Sequence, residues 1–283
     1  ILCNGDTFFD INLFDLINRF NKNLIGALAY SSKQKIDKRY TNINHNNKKI
    51  TSSGVYLFNK EKIKKYLISP GSLENFVVRK LPKKKFKNIV YEKNFIDIGI
   101  PQDLKKAQVF LDKTRTKKCV FLDRDGVINY DLGYVHNKFK FFWKKKVIEA
   151  IKYLNDNNYY VIVISNQAGV GKGYYKQSHV DKLHEWMDKE LNNKGAYIDK
   201  YYYATFYKHS KIEKFRTGSY YRKPNIGMFK KAFKEFKIIK NKSYFIGDKI
   251  TDELAAKKFK IKYFNVDNKT NLYNLIKKKI ITQ

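Results

Sequence analysis

At 283 residues the chain is long enough for two modest hydrophobic cores, and no apolar run approaches the ~18 residues that a membrane span needs. A formal charge of +33 argues first for nucleic acid, but all but seven of the 59 basic residues are lysine. Lysine shares A/T-rich codons with the abundant Asn, Ile, Tyr and Phe, so the excess reads as compositional drift, with solvated faces such as Lys83–Lys85 and Lys277–Lys279. Nucleic acid and membrane are thereby set aside as partners, and a positive field that favours small anionic substrates is left. Cys3 and Cys119 lie in separate apolar stretches and form neither a disulfide framework nor a metal box, which fits a reducing cytoplasm.

The first patterned region covers residues 1–111. Ile1–Leu2 leads into NGDTFFDINLFDLI, followed by a strand over LIGALAY, a polar Asn-rich loop, the strand GVYLF and a short helix over Asp103–Phe110 opened by Pro101. Residues 112–117, polar and basic, read as a linker to a second domain over 118–283. There the order is a buried strand at Lys118–Leu122, a polar flap over 129–140, a helix over 144–156, the strand YYVIVIS and a helix from Ser178 to Leu191. The strand YIDKYYYAT, a helix after Pro224, the strand SYFIG and a short helix from Asp252 complete the series. Such alternation implies an α/β fold, a parallel sheet covered on both faces, with ligands gathered at the carboxyl ends of its strands. Asp123, Ser165 and Asp248 each stand at that position, on three different strands.

In FLDRDGVIN, Asp123 and Asp125 follow the first strand two residues apart, so both carboxylates can face one substrate. A phosphomonoester repels a nucleophile through its own charge, and Mg²⁺ held by carboxylates removes that obstacle. Asp123 is the candidate nucleophile, forming an aspartyl-phosphate, and Asp125 the acid for the leaving oxygen and then the base for water. Asp123, Asp125 (through its backbone carbonyl) and Asp248 are the candidate Mg²⁺ ligands. Ser165 and Lys223 would neutralise the non-bridging oxygens, and Asp252, one helical turn beyond Asp248, is a supporting carboxylate.

FLDRDGVIN resembles the first motif of the haloacid-dehalogenase-like phosphatases. With DLGYVH, SNQAGVGKGYY, LHEWMD, YRKPNIGM and GDKxxD, residues 118–266 resemble the D-glycero-D-manno-heptose 1,7-bisphosphate 7-phosphatases, whose relatives include histidinol-phosphate phosphatases. The resemblance implies a Rossmann-like sheet without a large cap, and the short separation of Asp125 from Asn166 leaves no room for one. It implies substrate contacts at Asp131, Leu132, Gly133 and Tyr134 in the flap, and at Ser165, Asn166, Gln167 and Ala168 around the phosphate. It further gives Arg222 the distal phosphate end, Lys223 the transferred group, and Lys249 a further contact. Many members carry a zinc loop of pattern C-x-H and C-x-C before the RKP motif. The matching positions here are Ala204, Phe206, Ser219 and Tyr221, so zinc is not expected.

The first 111 residues, through NGDTFFDIN, KRY, SGVYLFNK, SLENF and FIDIGIPQDLKKAQ, resemble the later two-thirds of a sugar-1-phosphate nucleotidyltransferase. That family holds its metal with the aspartates of the GD and DIG motifs, here Asp6 and Asp97. The Gly-rich nucleotide loop has no counterpart, so this half is expected to be a partial domain. A phosphatase leaving a sugar 1-phosphate, joined to an enzyme type that activates such sugars, implies nucleotide-heptose synthesis for lipopolysaccharide, capsule or other surface glycans. A nucleotidyltransferase with an accessory phosphatase half and a histidinol-phosphate phosphatase are the alternative readings.

Overall fold

The computed structural model describes residues 1–33, 41–67 and 71–282; the KRY segment, residues 38–40, lies outside them. The chain divides into two compact units, Ile1–Thr114 and Arg115–Gln283.

In the first unit, β1 (Leu2–Cys3), β3 (Gly26–Ser31), β4 (Asn42–His45), β5 (Lys48–Phe58) and β6 (Phe86–Tyr91) form one sheet. Strand β3 pairs antiparallel with β5 and parallel with β6. A separate ribbon joins β2 (Thr7–Phe9) to β7 (Phe95–Asp97). The Asn-rich stretch read as a loop holds a hairpin instead. Asn46 and Asn47, with φ of 48° and 60°, turn β4 onto β5, and asparagine tolerates the left-handed backbone that such a two-residue turn demands. Leu16 of α1 (Leu13–Asn18) packs with Ala27, Ala29, Val55, Leu57 and Ile89 as the core of one sheet face. Helix α2 (Lys60–Ile63) is short, and α3 (Pro101–Arg115) runs a turn and more past the expected Phe110.

The second unit has the expected parallel sheet. Its order is β10 (Lys200–Ala204), β9 (Tyr159–Asn166), β8 (Lys118–Leu122), β11 (Tyr244–Gly247) and β12 (Lys262–Asn265), every neighbour parallel. Both faces are covered. Val120, Leu122, Val161 and Val163 pack on one side against α4 (Val147–Asp156), α6 (Gln177–Asn192) and α9 (Leu272–Ile276). Cys119, Phe121, Ile162 and Phe245 pack on the other against α7 (Gly227–Glu235) and α8 (Ile250–Phe259). Each large apolar side chain buried this way contributes about 1.5–3 kcal/mol. A short helix, α5 (Ala168–Gly171), follows β9 directly.

The boundaries differ from expectation where side chains compete for the backbone. Helix α4 starts three residues late, because Lys146 is left-handed (φ 63°) and the Lys144 ammonium is buried on the carbonyls of Gly126 and Asp267, at 2.7 and 2.6 Å. Strand β10 starts late because the Asp199 carboxylate accepts from Val161 N–H at 2.7 Å and the Asn155 side chain accepts from Tyr197 N–H at 2.9 Å. Helix α8 begins two residues before Asp252, whose Oδ2 accepts from the N–H groups of Asp248 and Lys249. No helix among the described residues is long and apolar enough to cross a membrane.

Candidate active site

Register puts the candidate side chains at one level. Leu122 pairs with Val163 on one side and with Ile246 on the other, so Asp123, the end of β9 and Asp248 emerge along the same edge of the sheet. Asp123 is tied down by its own N–H to the Ile246 carbonyl at 2.9 Å. Its Oδ1 takes the Arg124 N–H at 2.7 Å and the Lys223 ammonium at 2.9 Å. Lys223, fully enclosed, also contacts Asp252 Oδ1 at 2.6 Å. Asn166 fixes that lysine's backbone in both directions: its amide donates to the Lys223 carbonyl and accepts from the Lys223 N–H, each at 3.0 Å.

Among the described residues one group of carboxylates can share an ion: Asp123, Asp248 and Asp252, with ligand oxygens within 4.8 Å of one another. Asp252 thus joins Asp123 and Asp248 more closely than its expected supporting place. Asp125 is turned to other partners. Its carboxylate accepts from Arg124 Nη2 at 2.9 and 3.0 Å, Asn129 at 3.0 Å and Gln167 at 2.8 Å. Gln167 also donates to Ser165 Oγ at 2.9 Å and accepts from the buried Tyr175 hydroxyl at 3.0 Å.

Burial pushes Asp123 up to about 7; Lys223 pulls it down and Asp252 and Asp125 add to the rise. Burial also raises Asp248. For Lys223 burial alone would lower the pKa, but Asp123 and Asp252 outweigh it and hold the group above its ordinary value. Among the described residues three carboxylates therefore face one ammonium, and Asp248 Oδ1 is buried without a hydrogen-bond partner. That is a hard-oxygen donor set short of positive charge, which fits Mg²⁺. Gly126 keeps room for it: at φ 90° a Cβ there would lie 2.0 Å from Asp248 Oδ2.

Above this floor opens a cavity of about 590 Å³. Its walls include Asp131, Gly133 and Tyr134 of the flap, Asn166, Gln167 and Ala168 after β9, and Arg222 and Lys249. Leu132 is the exception: it is 57% exposed and absent from the lining. The flap is held by Asp131, which accepts from Gly133 N–H at 3.0 Å and from Lys249 at 2.8 Å. Burial would raise Asp131, but those two bonds outweigh it and lower its pKa. Lys172, Lys208 and Thr251 also line the cavity and were not singled out from sequence. Lys172 stands in the SNQAGVGKGYY motif, whose position in the chain was the available signal.

Arg124, fully buried, was hidden in sequence between the two aspartates. Besides Asp125 it donates to the Val135 carbonyl and stands 3.4 Å from His184 Nε2. Burial, then the Arg124 charge, push His184 down to about 3. An unfolded histidine titrates near 6.5, so the unfolded chain binds the extra proton and stability falls as pH drops between about 6.5 and 3. From about pH 7.5 to about pH 5 the second unit should lose about 2 kcal/mol from this group. Both tryptophans, Trp143 and Trp186, lie in this unit, so urea unfolding followed by their fluorescence reads it directly. The stability difference between wild type and His184→Phe should shift by about 2 kcal/mol over that range, wild type losing ground as pH falls; a difference that does not change with pH would refute the assignment.

Two further sequence sites have distinct outcomes. Asp6 and Asp97 of the first unit do converge: a Cβ on Gly99 would lie 3.0 Å from Asp97 Oδ1 and 3.2 Å from Asp6 Oδ2. No third ligand group joins them among the described residues. Ala204, Phe206 and Tyr221 line a cavity of about 400 Å³. The loop beyond them is anchored by Phe215 in a cluster with Val170, Tyr175 and Val180, and by Tyr220 packed on Gly227.

A family model described as polynucleotide kinase 3 phosphatase matches residues 118–276. The D-glycero-beta-D-manno-heptose-1,7-bisphosphate 7-phosphatase of Haemophilus ducreyi is 40% identical over 141 residues, 50% of this chain and 77% of that protein. The D-glycero-alpha-D-manno-heptose-1,7-bisphosphate 7-phosphatase of Photorhabdus laumondii is 35% identical over 141 residues, 50% of this chain and 77% of that one. Among solved structures, the D,D-heptose 1,7-bisphosphate phosphatase of B. bronchiseptica, complexed with magnesium and phosphate, is 22% identical with a TM-score of 0.48, covering 58% of this chain and 88% of its own. The fold and the sequence likeness define a phosphoric monoester hydrolase built on a parallel α/β sheet. The chain belongs to the polynucleotide kinase 3 phosphatase family and to the D-glycero-D-manno-heptose-1,7-bisphosphate 7-phosphatases.

Proposed function

We propose that the second unit removes the 7-phosphate of D-glycero-D-manno-heptose 1,7-bisphosphate, with Mg²⁺, through an aspartyl-phosphate on Asp123. The observation that carries this reading is the buried group of Asp123, Lys223, Asp248 and Asp252 beneath a cavity rimmed by Lys172, Lys208, Arg222 and Lys249.

Asp123, Asp248 and the Asp125 backbone carbonyl would hold the ion, whose charge, when bound, offsets that of the phosphate oxygens. Asp123 Oδ2, free of the hydrogen bonds that hold Oδ1, attacks phosphorus. The bond to the sugar oxygen breaks, and that oxygen takes the proton of Asp125. Asp125, now a carboxylate, takes a proton from water as the water attacks phosphorus. Asp123 is released and inorganic phosphate leaves. Lys223 and Ser165 steady the non-bridging oxygens. Gln167 and Arg124 aim Asp125.

The first unit is read as a sugar-1-phosphate nucleotidyltransferase-like fold, with Asp6 and Asp97 as its paired carboxylates. Joining the two reactions supports a place in nucleotide-heptose synthesis, and the separated cysteines Cys3 and Cys119 support a reducing cytoplasm.

The test is phosphate release from the heptose bisphosphate, histidinol phosphate and a 3′-phosphorylated oligonucleotide, with and without a chelator. Heptose turnover that vanishes with chelation and returns with Mg²⁺ is expected. Preference for either other substrate would discard the heptose assignment.

A further inference from the structure

An acid that must give its proton to a leaving oxygen is hindered by any neighbour able to accept that proton first. Gln167 is such a neighbour of Asp125. Its Nε2 donates to Asp125 Oδ2 at 2.8 Å and to Ser165 Oγ at 2.9 Å, and its Oε1 accepts from the Tyr175 hydroxyl at 3.0 Å. Turned over, the same amide would set its carbonyl oxygen against Asp125. The two orientations have one shape, so packing does not choose between them and the polar partners must. The Ser165 hydroxyl can donate or accept and suits either. Asp125 favours the observed orientation as a carboxylate, but the turned one once it carries the proton it is to give.

Tyr175 favours the observed orientation in both states. Burial pushes its hydroxyl up to about 12, so it stays a donor, and among the described residues Gln167 Oε1 is its acceptor. Turning the amide would leave that buried O–H facing another donor and unpaired. The ring is also held in place to make the bond. His136 stacks on it with centroids 4.4 Å apart and planes 12° apart, and Val170, Val180 and Phe215 pack around it. Gly169 of α5 lies so close that a Cβ there would stand 2.3 Å from the ring and 2.6 Å from the hydroxyl oxygen. His136 belongs to the flap, where its Nδ1 lies 2.8 Å from the Tyr134 carbonyl.

We propose that Tyr175 is a positioning residue for the acid step: by holding Gln167 Oε1 it keeps the amide nitrogen toward Asp125, so that the proton of Asp125 goes to the leaving oxygen. The proposal rests on the reading of Asp125 as the acid and deepens it, with no dependence on which sugar carries the phosphate. Tyr175 acts through Gln167 and takes no part in bond making. Its loss therefore weighs on substrates whose leaving oxygen needs a proton, and far less on those whose leaving group departs as a stable anion.

The experiment measures kcat/KM of the full chain with Mg²⁺ on two phosphates, since that quantity follows the reaction as far as the aspartyl-phosphate. One is the alkyl phosphate that wild type turns over, heptose 1,7-bisphosphate or histidinol phosphate. The other is p-nitrophenyl phosphate, whose phenolate leaves without a proton. The alkyl-to-aryl ratio should fall about a hundredfold in Asp125→Asn and about tenfold in Tyr175→Phe, which keeps the ring and removes only the hydroxyl. In Gln167→Met, adding Tyr175→Phe should lower the ratio no further, because the amide it acts through is gone. If Asp125→Asn is selective and Tyr175→Phe slows both substrates equally or neither, the positioning role falls and Asp125 remains the acid. If Asp125→Asn itself slows both equally, the acid reading falls and takes the role of Tyr175 with it. A full further loss in the double variant also overturns the proposal.

Discussion

Replacing Asp123 by asparagine should lower phosphate release by about a thousandfold or more while leaving the unfolding midpoint of the second unit nearly unchanged. The two effects separate because the amide matches the carboxylate in shape. An asparagine oxygen can still accept the Arg124 N–H and the Lys223 ammonium that now meet Oδ1 at 2.7 and 2.9 Å. One of three crowded carboxylates is also discharged, which relieves its repulsion from Asp252 and Asp125. An amide cannot serve as the attacking oxygen at phosphorus. Turnover and tryptophan fluorescence in urea, measured on the same preparation, decide the matter. Retention of more than about a tenth of the activity would remove Asp123 from the role of nucleophile.

Lys223→Met is expected to act on stability as well. The ammonium is enclosed and bridges Asp123 and Asp252 at 2.9 and 2.6 Å, so its removal leaves two buried carboxylates without a counter-charge. Breaking a buried pair from one side costs about 3–5 kcal/mol. A second change tests the cause: in Lys223→Met/Asp252→Asn one of the stranded charges is gone, and part of the lost stability should return. The double-mutant cycle should therefore show coupling of about 1–3 kcal/mol. Purely additive losses would mean that Lys223 supports the fold by packing alone. Activity should fall at least about a hundredfold in the single variant, since no other cation among the described residues contacts Asp123.

Much of the second unit was legible because its signals are local. An apolar run ending in Asp-x-Asp marks both a strand and a candidate site, and α6 shows its buried face through Val180, Leu183, His184, Met187 and Leu191. What sequence hid was the destination of polar side chains. Lys144 looks like part of a solvated lysine run, yet it is buried on two carbonyls, one of them from residue 267. Arg124 sits between two acids and reads as their neighbour, though it is fully enclosed and reaches Val135 and His184. Such long-range partners leave no periodic trace. Strand β12 was hidden because only four residues, KYFN, form it at the edge of the sheet, with no fully buried position to mark it. In the first unit the hairpin at Asn46–Asn47 was obscured by an asparagine-rich composition that reads as loop. The convergence of Asp6 and Asp97 came only from the resemblance, and the structure brings them together through the pairing of β2 with β7.

The register that lines up Asp123, the end of β9 and Asp248 also makes turnover a strict measure of completeness. Each comes from a different strand: residues as remote in sequence as 123 and 248 meet only when β8 has paired with β11, and the end of β9 joins them only when β8 has paired on its other side. Slipping one strand by a single residue would turn its side chains to the opposite face and scatter the group. A chain with its helices wound and its core collapsed, but with β11 unpaired, would look nearly native to spectroscopy and release no phosphate. For this protein, activity counts finished molecules and takes no account of the partly folded ones.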